Sequence, residues 1–261
     1  MDYLTNDTDL KKVADAIRAK GGTSAPLAYP NGFVSAIQAI KSAPSGPYME
    51  AEYKQELMTT DESASFIKKA KLYNHTRIAA YEFEQQRLLQ ELDTSDPSNN
   101  ITTIDASAFA YCMCENVIIP ETVTLIGISA FSSAYIGTMV LPESVTRISA
   151  FAFQSVQGVN GVPPVIKLNE GLAVIGDSAF NGTSIVGEME IPSTVTEIAA
   201  YCFSYTNITT VICKATTPPA LGSGAFTSET AGFTIKVPAA SVAAYKAADG
   251  WKDYANYIVA M

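Results

Sequence analysis

Residues 119–131 read IPETVTLIGISAF, and residues 141–153 read LPESVTRISAFAF. The two strings align without a gap. IPSTVTEIAAYCF (191–203) and LNEGLAVIGDSAF (168–180) fit the same frame, the second with Asn169 in place of proline. Reduced to an aliphatic residue followed five positions later by phenylalanine, the pattern also takes in IDASAF (104–109) and LGSGAF (221–226). IAAYEF (78–83) is a degenerate first copy. The phenylalanines are Phe83, Phe109, Phe131, Phe153, Phe180, Phe203 and Phe226, at intervals of 26, 22, 22, 27, 23 and 23 residues. Self-similarity at a period of 20–50 residues signals stacked coils, none of which buries its apolar side alone.

Each long copy opens with a short β-branched run that a proline ends in all but the Asn169 copy, since proline lacks the N–H for the next ladder bond. Alternation along these runs puts Val117 and Ile119, Met139 and Leu141, Ile166 and Leu168, Met189 and Ile191, Val211 and Cys213, and Ile235 and Val237 on one inward face. The opposite face then carries Asn116 and Ile118, Thr138 and Val140, Val165 and Lys167, Glu188 and Glu190, Thr210 and Ile212, and Thr234 and Lys236. Apolar residues where water is expected mark this column as a partner-binding surface, for a foreign partner or a neighbouring subunit. Tyr111, Tyr135 and Tyr205 follow the phenylalanines in turns. They read either as stacked turn residues or as an aromatic ladder for glycans. The longest interval holds QSVQGVNGVPPV (154–165), an insertion that maps to a loop on one edge.

The pattern (I/L)P-x-x-V-T-x-I-x-x-x-A-F resembles the leucine-rich repeats of the BspA-type bacterial surface proteins, over roughly 75–237. The resemblance implies a right-handed solenoid of short parallel strands and turns, used for adhesion or recognition rather than catalysis. The cysteine usual shortly after the phenylalanine in that family is kept only at Cys112. Residues 236–258 are similar to the capping helix that ends many such arrays.

The remaining segments organise the chain into four parts: a helical module at 1–41, a linker and helical segment at 42–74, the solenoid of about seven coils at 75–237, and a helical cap at 238–261. In the first, Leu10, Val13 and Ile17 form one apolar stripe and Phe33, Ile37 and Ile40 another, with Gly21 and Gly22 between the two helices. A unit this small needs a partner or a second copy. TDLKKVADAIRAKGGTSAPLAYPNGFVSAIQAI (8–40) resembles a module at the N-termini of tail and baseplate-associated proteins of phages that infect Gram-positive bacteria. Residues 48–74 are charged and expected to be partly helical.

Composition narrows the function. Charged residues make up only 16%, against a usual share of about 25%. The formal net charge is −9, which argues against a nucleic-acid partner, since phosphate recognition needs a basic patch. No apolar run approaches the roughly 20 residues of a membrane span, and the first residues lack the basic start and apolar run of an export signal. His75 is the sole histidine, with no catalytic motif around it, and Glu188 and Glu190 read as a solvated strand face rather than a carboxylate pair. Cys112, Cys114, Cys202 and Cys213 lack the spacing of a zinc site. No catalytic residue, metal or cofactor is expected.

Two readings follow from the resemblances. In the first, the chain is a phage virion component (tail, baseplate or fibre) whose repeats contact other virion proteins or a host-surface glycan or protein. In the second, it is a BspA-type adhesin on a bacterial surface. The low charge and undersized N-terminal unit point to a homo-oligomer, and analogy with phage fibres favours a trimer.

Overall fold

The computed structural model describes residues 47–54, 66–89, 91–113, 117–226 and 232–261. The helical module expected at 1–41, with Leu10, Val13, Ile17, Phe33, Ile37 and Ile40, lies outside these residues.

The chain winds as a solenoid with one coil per phenylalanine. Along one side runs a seven-stranded parallel sheet of two-residue strands: β3 (Arg77–Ile78), β5 (Thr103–Ile104), β6 (Leu125–Ile126), β8 (Arg147–Ile148), β10 (Val174–Ile175), β12 (Glu197–Ile198) and β14 (Ala220–Leu221). The register pairs Ile78, Ile104, Ile126, Ile148, Ile175, Ile198 and Leu221 in sequence. The isoleucines are buried, so the repeat read from the sequence is the repeat of the core. Opposite them the phenylalanine rings form one continuous stack. Successive ring centres lie 5.0–5.7 Å apart, and the planes are within 7° of parallel.

The turn that carries each phenylalanine is built from alternating backbone hands. The residues two before and two after the ring have positive φ: Ser107 and Tyr111, Ser129 and Ser133, Phe151 and Ser155, Tyr201 and Tyr205. A left-handed conformation costs a non-glycine residue roughly 1–2 kcal/mol. In return, alternation turns the peptide groups toward the neighbouring coil. Phe109 N–H donates to the Ala130 carbonyl, Phe131 to Ala152 and Phe153 to Ala179, each at 2.7 Å. These bonds all run forward along the axis. Just past the strands of the seven-stranded sheet the donors point backward: Gly127 N–H donates to the Ile104 carbonyl and Ser149 N–H to that of Ile126.

The second strand column comprises β7 (Thr138–Val140) paired with β9 (Val165–Lys167), and a parallel sheet of β11 (Val186–Ile191), β13 (Asn207–Cys213), β15 (Thr234–Val237) and β16 (Ile258–Ala260). The inward residues expected here are buried, apart from Leu168, which is partly buried. Residues 117–119 keep the alternating burial but form no ladder among the described residues.

The Asn169 coil departs from the others in a compensated way. Elsewhere a hydroxyl before the aliphatic residue donates to the preceding coil: Thr122 to the Ile101 carbonyl (2.6 Å), Ser144 to Val123 (2.6 Å) and Thr194 to Leu172 (2.8 Å). That position is Gly171 in the Asn169 coil, where an added Cβ would stand 2.1 Å from the Glu143 carbonyl oxygen. Asn169 supplies the missing donor. Its buried Nδ2 donates to the carbonyls of Pro142 and Val145, the latter at 3.1 Å, and its Oδ1 accepts from Gly171 N–H at 2.8 Å.

The N-terminal end departs from expectation, and the expected C-terminal helical cap is present. Residues 48–54 and 66–73 are strands rather than helix: β1 (Tyr48–Lys54) pairs antiparallel with β2 (Phe66–Tyr73), which pairs parallel with β4 (Glu91–Asp93). The charges there follow a strand period of two, not a helix face. The register sets Glu50 against Lys71, and Lys71 pairs with Asp93 at 3.2 Å and Lys69 with Glu91 at 2.6 Å. Opposite charges across strands favour the sheet, and β1 covers the first coil's edge. At the other end the helical cap contains one six-residue helix, α1 (Val242–Ala247), and two 3-10 turns, Ala239–Ser241 and Trp251–Tyr254. The chain then returns as β16, parallel to β15. Trp251 and Tyr254 close the stack against Phe226, with ring centres 5.9 and 5.5 Å away, and Trp251 Nε1–H donates to the Pro219 carbonyl at 2.7 Å.

Candidate binding surface

Ladder registers decide which outward residues are neighbours. β7 against β9 sets Thr138 beside Val165 and Val140 beside Lys167. β11, β13 and β15 set Glu188, Thr210 and Thr234 in one row, and Glu190, Ile212 and Lys236 in the next. The sequence reading of this face therefore assembles as a surface, with Asn116 outside the described residues. Its character changes along the axis. Toward the N-terminus it mixes exposed aliphatic residues, Ile118 78%, Val140 59% and Val165 46% exposed, with exposed Thr138 and Lys167.

Toward the C-terminus the same face is ion-paired. Lys236 Nζ lies 3.5 Å from Glu188, and Lys214 Nζ lies 2.7 Å from Glu190 and 3.7 Å from Glu170. Hydrogen bonding to Glu190 raises the Lys214 pKa, and the Ser193 hydroxyl and N–H, at 2.8 and 3.0 Å, hold Glu170 below its usual range. Pairs this exposed contribute little to stability, but they leave Glu188 and Glu190 each bound to a different lysine. Val186, also exposed, and Lys214 belong to this face and were not among the residues read from the sequence. Extending the alternation one step past each strand would have found both.

The three tyrosines do not form one ladder. Tyr111 and Tyr205 occupy the same position, two after the ring, but four coils apart; Tyr135 comes four after its ring and bridges to Met113 and Gln157. Tyr81, Phe151 and Tyr201 share the other left-handed column, two before the ring, and are exposed.

Of the residues considered for chemistry, His75 and three of the cysteines are committed to the fold, and Cys114 lies outside the described residues. His75 is buried, with Nδ1 2.9 Å from the Tyr73 carbonyl oxygen and Nε2 3.1 Å from Glu82 Oε1. Cys112, Cys202 and Cys213 are buried free thiols. Burial pushes the Cys202 thiol well above its ordinary pKa, and burial also raises Cys213, which lies 3.2 Å from the Tyr245 hydroxyl. An open depression of about 310 Å³ is lined by Thr94, Ser95, Asp96, Asn99 and Glu121 among others. Asp96 there accepts from both the hydroxyl and the N–H of Ser98, which lowers its pKa. Among the described residues no group of three or more histidine, cysteine or carboxylate side chains is placed to hold a metal ion. No helix among them is long and apolar enough to cross a membrane.

Comparison with known proteins returns a repeat family. Six copies of the BspA type leucine rich repeat region match residues 63–163 and 164–245; residues 1–41 lie ahead of the match. No curated protein matches the chain. Among solved structures, a leucine-rich repeat protein from Bacteroides ovatus is similar at 16% identity and a TM-score of 0.44, over 61% of this chain and 52% of that one. The pneumococcal vaccine antigen PcpA is similar at 13% identity and a TM-score of 0.28, over 70% of this chain and 64% of that one. This chain thus spans less than two thirds of the length of either.

Proposed function

Because this chain belongs to the BspA type leucine-rich repeat family, we propose that it is a non-enzymatic binding scaffold of a phage virion, acting in the tail, baseplate or fibre. The observation that carries the binding role is the run of exposed aliphatic side chains, Ile118, Val140 and Val165, on a solenoid face whose alternate residues are buried. Exposed aliphatic side chains gathered on one face mark an interaction site. The partner is another virion protein or a host-surface protein or glycan, and copies on a particle multiply weak contacts into avidity. The virion assignment is supported by the resemblance of residues 8–40 to tail and baseplate-associated modules. Family membership favours a second reading, an adhesin on a bacterial surface.

Immunogold labelling of particles and cells from the source, with antibody against residues 75–237, tests the assignment. Gold on tail tips or baseplates is the expected result. Gold confined to cell envelopes would overturn the virion reading in favour of the adhesin. Val140→Asp with Val165→Asp in the full chain should remove attachment to the partner while leaving the melting temperature unchanged.

A further inference from the structure

The two columns of left-handed residues that flank the phenylalanine stack are filled unevenly. Positive φ favours glycine, asparagine and aspartate, and bulky side chains are rarest there. Ser107, Ser129, Ser133, Ser155 and Ser178 meet this demand with a small side chain, Gly182 and Gly224 with none, and Gln85 with a long polar one. Five positions do the opposite: Tyr81, Tyr111, Phe151, Tyr201 and Tyr205 hold an aromatic ring on a left-handed backbone. Burial does not explain the choice, because their exposure runs from 38% for Phe151 to 77% for Tyr205. Strained positions without compensating burial concentrate where ligands are held.

The chemistry between the columns identifies the class of ligand. Directly after the ring in the third, fourth and fifth coils stand Ser132, Gln154 and Asn181, partly exposed and uncharged, while Ala110 and Ser204 at the same position are buried. A surface of aromatic faces, amides and hydroxyls suits a partner with apolar C–H faces and many neutral hydroxyls. It lacks the cations a polyanion requires. Tyr201 also reaches beyond its own coil. Its ring lies against Gly224, where an added Cβ would fall 2.8 Å from Tyr201 Cε1. Phe151 lies two coils earlier, and the stacked rings between them are spaced at 5.1 and 5.2 Å. The platforms are therefore laid out along the axis, as an extended chain would need. We propose that this turn face, distinct from the strand face, binds a neutral polysaccharide, with Tyr111, Tyr201 and Tyr205 as stacking platforms.

Native affinity electrophoresis of the full chain tests this, since a net charge of −9 drives migration and a neutral polymer retards it only by binding. The probes are dextran, mannan, a soluble β-glucan and glycol chitin, each cast in the gel. Retardation by at least one is expected, and each lost ring should weaken it roughly two- to tenfold. Tyr111→Ser, Tyr201→Ser and Tyr205→Ser are combined, because serine is the residue these columns otherwise use. The triple variant should lose retardation with its melting temperature within about 2 °C of the parent. Migration unaffected by all four polymers, or retardation that survives in the triple variant, would overturn the proposal. A large fall in melting temperature would too, because it assigns the rings a structural role.

Discussion

Replacing Asn169 with alanine removes the only side chain that compensates for the missing hydroxyl at Gly171. The Val145 carbonyl loses a donor at 3.1 Å, and Gly171 N–H loses an acceptor at 2.8 Å. The Pro142 carbonyl keeps a bond from Val145 N–H at 3.1 Å. An orphaned buried polar group costs about 1–3 kcal/mol. With one group buried and the other half-buried, we expect a loss of about 2–4 kcal/mol, which lowers the melting temperature by roughly 5–15 °C at this chain length. Differential scanning calorimetry checks this. A drop below about 2 °C would refute the compensation argument.

Two companions sharpen it. Asn169→Pro combined with Gly171→Thr restores the residues of the other coils and on sequence grounds should stabilise the chain. The structure predicts destabilisation, because the threonine Cβ would stand 2.1 Å from the Glu143 carbonyl oxygen. Asn169→Asp aims a carboxylate at the same two carbonyls, which raises its folded pKa above the ordinary value of about 3.9. A raised folded pKa gives stability that is fully present below the unfolded pKa and lost as pH rises through the folded one. The deficit of this variant against the parent should therefore be largest at neutral pH and shrink as pH falls toward about 4.

Other consequences can be measured on the same protein. Phe153 is fully buried, with rings 5.2 Å away on one side and 5.1 Å on the other. Phe153→Ala should cost about 3–5 kcal/mol, and an unchanged melting temperature would contradict the stack. Cys112, Cys202 and Cys213 should react with a thiol reagent at pH 8 only after denaturation, since they are buried and burial raises the thiols of Cys202 and Cys213; rapid labelling of any of the three in the native protein would count against the core described. Light scattering of the full chain should show a homo-oligomer, and a sharp monomer peak at micromolar concentration would remove that expectation.

The solenoid was legible in the sequence because its core residues are large, apolar and repeated. Phe83 through Phe226 and the inward strand residues fell where alternation and period placed them. The turn conformation was not legible. Left-handed positions are ordinarily recognised by glycine or asparagine, whereas here serine, tyrosine, phenylalanine and Gln85 occupy them, with glycine only at Gly182 and Gly224 in the turns of two coils. The N-terminal hairpin was hidden by its charges: Glu50, Glu52, Lys69 and Lys71 alternate within their strands, but that they face one another with opposite sign is known only once the strands are set in register. Asn169 was visible as a departure from proline, but its bond to the previous coil depends on Gly171 and could not be read from position 169 alone. The strand face was legible residue by residue, while its division into a part with exposed aliphatic residues and an ion-paired part depends on contacts between coils.

The single direction of the turn hydrogen bonds bears on how the two tips of the molecule differ. Every turn donates forward to the next, whereas parallel strands such as those of the seven-stranded sheet donate to and accept from each neighbour. The turn side of the first tip therefore presents carbonyl acceptors and that of the last tip presents N–H donors, so the far tip of a second copy would offer the matching set. Such ends invite head-to-tail polymerisation. The β1–β2 hairpin at one tip, and α1 with Trp251 and β16 at the other, act as terminators that keep a self-templating stack finite.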